Sequence, residues 1–176
     1  MIQRWAERRM YRRSLQLAAG LLRQAARTAN VLEKIEALAQ AEQKLEDACW
    51  LFPEEAGEEF EASLSTIRKS REEALEKHAP PAVARLLTSA EAGDENSAAA
   101  LAAAGRLLAV LSHYRPEDLQ TQELSARFHT LGGERPPYRP VPPLSESYHR
   151  PSAAAGCAFL VCALMVGLLL AWLAFR

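Results

Sequence analysis

Cysteine is scarce, glycine is thinly spread, and no stretch alternates between apolar and polar residues. The three cysteines, Cys49, Cys157 and Cys162, form no C-x-x-C pair, which excludes a disulfide framework and a cysteine zinc site. Eight glycines are scattered without forming a phosphate-cradling loop. His78, His113, His129 and His149 lie far apart in sequence. The crowded carboxylates Glu54, Glu55, Glu58, Glu59 and Glu61 lack the glycine and the ligand spacing of a calcium loop. With no period-two segment there is no signal for a sheet. The chain is therefore expected to be all-α and to carry no active site, metal or cofactor of its own.

Charge is missing locally as well. Residues 1–27 hold seven arginines and a single acid, Glu7, whereas residues 33–77 hold thirteen acids against six bases. From Ser152 to Phe175 there is no charge of either sign. That last run, residues 153–175, is long enough to cross a bilayer: at about 1.5 Å per residue it reaches roughly 34 Å, against a hydrocarbon core of about 30 Å. Its Leu, Val and Phe residues, at about −0.3 to −0.6 kcal/mol each, favour insertion by roughly 3 to 6 kcal/mol. One C-terminal transmembrane helix is expected.

Arg135, Arg139 and Arg150 precede this run and only Arg176 follows it, a bias that puts the N-terminal mass on the cytoplasmic side of the membrane. The expected topology is single-pass and tail-anchored. Ala163, Gly167 and Ala171 recur every four residues, so one face of the span is small enough for a second helix to approach, as in a homodimer. Before the span, residues 132–152 open with a double glycine and contain most of the ten prolines, with Pro137, Pro140 and Pro143 three apart. This composition predicts an extended, polyproline-II-like stalk that spaces the domain from the bilayer.

Helical periodicity runs through residues 30–131. Val31, Ile35, Leu38, Leu45, Cys49 and Phe52 step by three and four on a helix that starts as early as Ile2 and ends at Pro53. Phe60, Leu64, Ile67, Leu75 and His78 define the face of a second helix, which Pro80 and Pro81 are expected to close. A third carries Val83, Leu86 and Leu87. After Gly93, Asp94-Glu95-Asn96-Ser97 caps a fourth helix that is apolar on most faces and belongs at the centre. Its Gly105 is placed to allow a close crossing. A last helix opened by Pro116 bears Leu119, Leu124 and Phe128 and stops at Gly132. The expectation is a small antiparallel bundle of four to five helices plus the transmembrane helix.

The basic segment, residues 1–29, is amphipathic. On a helical wheel Arg8, Arg9, Arg12, Arg13, Arg23 and Arg27 share one arc, and Met10, Leu17, Ala18, Leu21, Leu22 and Ala25 occupy the other. Four readings fit: a cleaved mitochondrial transit peptide; a helix lying on anionic lipid; a twin-arginine export signal around Arg12-Arg13-Ser14; or the first bundle helix, its arginines facing water or pairing with the acidic segment. Arg8, Arg12, Arg13, Arg23 and Arg27 are the candidate contact residues for a membrane surface or a partner. Nucleic acid is not an expected partner, because the arc is short and most of the remaining domain is acidic. The function this implies is a non-catalytic membrane adaptor or scaffold that binds a protein partner. The alternatives are an accessory subunit of a larger membrane complex and a membrane-shaping protein on a lipid surface.

Overall fold

The first helix ends at Arg27 although neither proline nor glycine stops it. What interrupts it is the start signal of the next helix: the Asn30 side chain accepts hydrogen bonds from the amides of Leu32 and Glu33, while Glu33 reaches back to Thr28 and Asn30. This reciprocal cap satisfies amides that a continuous helix would have bonded to the preceding turn. A computed structural model describes residues 2–55, 57–93 and 95–143, which form one compact unit. Within it α1 spans Ile2–Arg27, α2 Val31–Leu51, α3 Glu58–Glu73, α4 Ala79–Glu91, α5 Ser97–Tyr114 and α6 Leu119–Thr130. No strand occurs among the described residues, so the all-helical expectation holds for them.

Short turns fold successive helices back on one another. Contact between Tyr11 and Phe52, with ring centroids 5.4 Å apart, closes the far end of the α1–α2 hairpin. Between α3 and α4 the chain does not break where the two prolines predicted a boundary. A five-residue π-helical turn, Ala74–His78, joins the two helices, and the amide of Ala79 donates to the carbonyl of Ala74 five residues back. Pro80 and Pro81 have no amide to give the carbonyls four residues earlier. The wider turn absorbs that mismatch without ending the rod. Counting α3, the π turn and α4 as one rod gives five rods among the described residues.

Two cores result, and α2 and the long rod contribute to both. One joins Ala18 and Ala25 of α1 to Ala37, Leu38 and Leu45 of α2 and to Leu64 and Ile67 of α3. The other is larger and gathers Ile35, Leu75, Val83, Leu87, Leu108, Leu111 and Phe128 from α2, the long rod, α5 and α6. As its composition predicted, α5 is the most deeply placed helix of this second core, with Ala104, Leu108 and Leu111 fully buried. A Cβ on Gly105 would sit 2.9 Å from Phe128 Cζ, so the absent side chain lets α6 approach. Leu119 is corrected: it is 75% exposed, because α6 starts at Leu119 itself, behind Asp118, whose side chain caps Thr121, and not at Pro116. Gly132, at φ +76°, ends α6 in the left-handed region that a side chain disfavours.

The apolar run 153–175, including Ala163, Gly167 and Ala171, lies outside the described residues, as does the second half of the proline-rich segment. Among the described residues no helix is long and apolar enough to cross a membrane.

Candidate interaction surfaces

The apolar stripe of α2 has a gap in its heptad-like rhythm between Leu38 and Leu45, and the residue in the gap is Glu42. The stripe that runs from α3 into the π turn has a matching gap between Ile67 and Leu75, and the residue there is Arg71. The two meet. Arg71 Nη1 donates to Glu42 Oε2, and Arg68, one turn earlier, donates through Nε to Glu42 Oε1 at 2.6 Å and through Nη2 to Glu46 at 2.8 Å. Glu42 is only 9% exposed at its side chain and Arg71 19%, so this ion pair lies largely out of water. Its carboxylate is saturated by two guanidinium groups, as a buried charge requires. Glu42 and Glu46 of α2 therefore pair with α3, and of the two alternatives for the arginines of α1, facing water or pairing with the acidic segment, no ion pair of the second kind occurs among the described residues.

Arg71 also stacks over the Tyr114 ring at 4.8 Å, which ties the seam to the C-terminal end of α5. Beyond it lies Tyr138 of the proline-rich segment. The backbone from Gly133 to Pro143 forms neither helix nor strand, and it packs on the bundle through Arg135 and Tyr138 instead of standing clear of it as a stalk. Tyr138 packs at 5.0 Å from His113 and 6.0 Å from Tyr114, and Arg135 donates to Ser112 of α5. Burial, followed by a hydrogen bond to Tyr114, raises the Tyr138 phenol well above its ordinary pKa. Tyr138, Arg139, Val141, Glu36 and Gln40 line a cavity of about 290 Å³ at the outer end of the seam. What anchors the segment is its tyrosine, which sequence composition ranks below its prolines.

The outer face of α1 is built from the same residue type with the opposite surroundings. Arg8, Arg12, Arg13, Arg23 and Arg27 are all exposed, and none forms an ion pair among the described residues. Arg8, Arg9, Arg12 and Arg13 border one shallow groove with Trp5 and Gln16. Arg9 lies 5.7 Å over the Trp5 ring, and Trp5 is itself 64% exposed. Arg23 and Arg27 continue the arc toward the end of the helix. The opposite face is consumed by packing, with Ala18 and Ala25 buried against α2 and α3. Of the four readings of residues 1–29, the first bundle helix accounts for this placement: removal of the segment would strip one wall from a core. Leu17 is a further correction, since it is 46% exposed where the wheel set it on the packed arc. Like charges four apart, such as Arg8 with Arg12 and Arg9 with Arg13, weaken a helix by about 0.2–0.5 kcal/mol per pair. No acid in the first turn offsets the dipole. Folding alone does not favour this face.

A third surface escapes sequence inspection because it draws on three separate segments. Val31 and Leu32 at the start of α2, Ala82 and Leu86 of α4, and Ala103 and Leu107 of α5 line an apolar groove of about 500 Å³. Arg85 and Arg106 flank it, both exposed, and neither forms an ion pair among the described residues. Elsewhere the titratable residues are dispersed. His129 Nδ1 lies 3.2 Å from the Gly133 carbonyl oxygen, Cys49 is half-buried, and no group of three potential metal ligands occurs among the described residues.

Fold and surfaces together define a helical bundle with a basic outer helix and one apolar, arginine-flanked groove. No family model, no curated protein and no solved structure matches this chain.

Proposed function

We propose that this chain is a tail-anchored membrane adaptor whose helical domain binds a protein partner on the cytoplasmic side, without catalysis or cofactor. The observation that carries the reading is the apolar groove between α2, α4 and α5. A floor of aliphatic side chains with a guanidinium at either side suits a partner segment that offers apolar anchors flanked by carboxylates. The uncharged run at 153–175 supplies the anchor in this reading, and the arginines before it set the orientation.

The test is capture of the full-length, detergent-extracted protein with quantitative identification of its companions, in wild type and in two groove variants. Arg85→Glu with Arg106→Glu reverses the flanking charge without touching the core, and Leu86→Glu alters the floor. A stoichiometric soluble companion that is lost from both variants supports the adaptor. Companions that are membrane proteins, kept by both variants and lost when Gly167→Leu blocks the small-residue face, would replace it with an accessory subunit of a membrane complex.

A further inference from the structure

We infer that the exposed face of α1 is a docking surface for anionic phospholipid, so that the domain lies against the bilayer through Arg8, Arg12, Arg13, Arg23 and Arg27. This does not depend on what occupies the groove. Three observations point to lipid headgroups. The arginines lie along one face over twenty residues, about 28 Å of helix, a length that matches an extended plane better than a point ligand. None of them has a carboxylate partner among the described residues, although the neighbouring α2–α3 seam is rich in acids that are paired elsewhere. Trp5 lies in the middle of the arc, 64% exposed, with Arg9 over its ring.

An indole set among guanidinium groups suits the headgroup boundary, where the ring enters the interface and the charges meet phosphates. Leu17, 46% exposed at the edge of the arc, adds apolar area there. An acidic protein surface would satisfy the charges but would give the exposed indole no apolar layer to enter. Each arginine close to an anionic leaflet strengthens attachment about fivefold, so a cluster of five makes the interaction strong at low salt and steeply salt-dependent.

The test uses the full chain reconstituted in vesicles that contain bromine-labelled acyl chains, either of phosphatidylcholine alone or with about 30% phosphatidylserine. The signal of Trp5 is isolated as the difference in fluorescence quenching between wild type and Trp5→Phe, which leaves Trp50 and Trp172 as a common background. The expected result is that the Trp5 contribution is quenched at least about twofold more with phosphatidylserine present. That gain should disappear at about 0.5 M salt and in the variant Arg8→Glu/Arg12→Glu/Arg13→Glu. All the substituted residues are exposed, so these variants keep the fold; unchanged far-ultraviolet helicity checks this. Quenching of Trp5 that is absent, or equal with and without phosphatidylserine, would overturn the proposal. So would quenching that persists in the charge-reversed chain.

Discussion

Arginine does two different jobs in this molecule, and the seam between α2 and α3 shows one while the outer face of α1 shows the other. Arg68 and Arg71 lie four and seven positions past Leu64 on an apolar face and close on Glu42, which occupies the matching position of α2. Each of these charges is answered, and Arg71 is stacked as well. On α1 the arginines outnumber their acids, face water, and repel one another along the helix. The difference teaches that what a cation does in a fold is decided by its position relative to the apolar stripe. A charge inside the stripe must be paired and so specifies register. A charge outside it, left unpaired, is available to something beyond the chain.

The sharpest way to break the comparison is to remove the answered charge. Glu42→Ala leaves the largely buried Arg71 guanidinium without its carboxylate, while half-exposed Arg68 keeps Glu46, and is expected to cost about 3 kcal/mol, the lower end for a broken buried pair. Urea unfolding measures it. Replacing the pair together, Glu42→Met with Arg71→Met, should recover most of that loss, because aliphatic side chains of similar volume fill the same space without desolvated charge. A double variant as unstable as Glu42→Ala would mean that the seam is held by something other than this pair.

Packing at the other core sets the scale for such losses. A Cβ at Gly133 would meet Phe128 ring carbons at 2.4 Å, so Gly133→Ala should cost about 1–3 kcal/mol, and Phe128→Leu should relieve part of the clash in a double-mutant cycle. Full additivity of the two changes would show that Gly133 does not press on Phe128.

A smaller effect tests a half-buried charge that has an intramolecular role. Asp118 caps α6, and hydrogen bonds from the Thr121 hydroxyl and amide hold its carboxyl below its ordinary pKa. Asp118→Ala should cost about 1 kcal/mol at neutral pH. A folded pKa lowered in this way gives stability that is complete above the unfolded value and is lost as pH falls through the folded value. The gap between variant and wild type should therefore close on acidification. A gap that stays constant into strong acid would remove the ionised carboxylate from the cap.

Much of the architecture is legible in the sequence because stripes at three- and four-residue steps are the direct imprint of helix packing. The seam was not read from the sequence, although Glu42 and Arg71, which interrupt two apolar faces with opposite charge, are the signal that could have found it. Three features were hidden. The π turn arises from a conflict between Pro80, Pro81 and a helix that the second core keeps whole, and local signals alone read it as a stop. Leu119 is apolar yet exposed because capping by Asp118 outweighs periodicity in placing the start of α6. The groove is assembled from α2, α4 and α5, and no local window contains it.

The most direct test of the two-arginine account is the unfolding free energy of the chain with Arg12→Glu, Arg13→Glu and Arg23→Glu, measured in urea without lipid beside Glu42→Ala. The account predicts a change within about 0.5 kcal/mol of wild type, since these side chains are exposed and unpaired among the described residues, with any shift toward greater stability as repulsion along α1 is relieved. A loss comparable to that of Glu42→Ala would contradict it, because the arginines of α1 would then be part of what holds the bundle together.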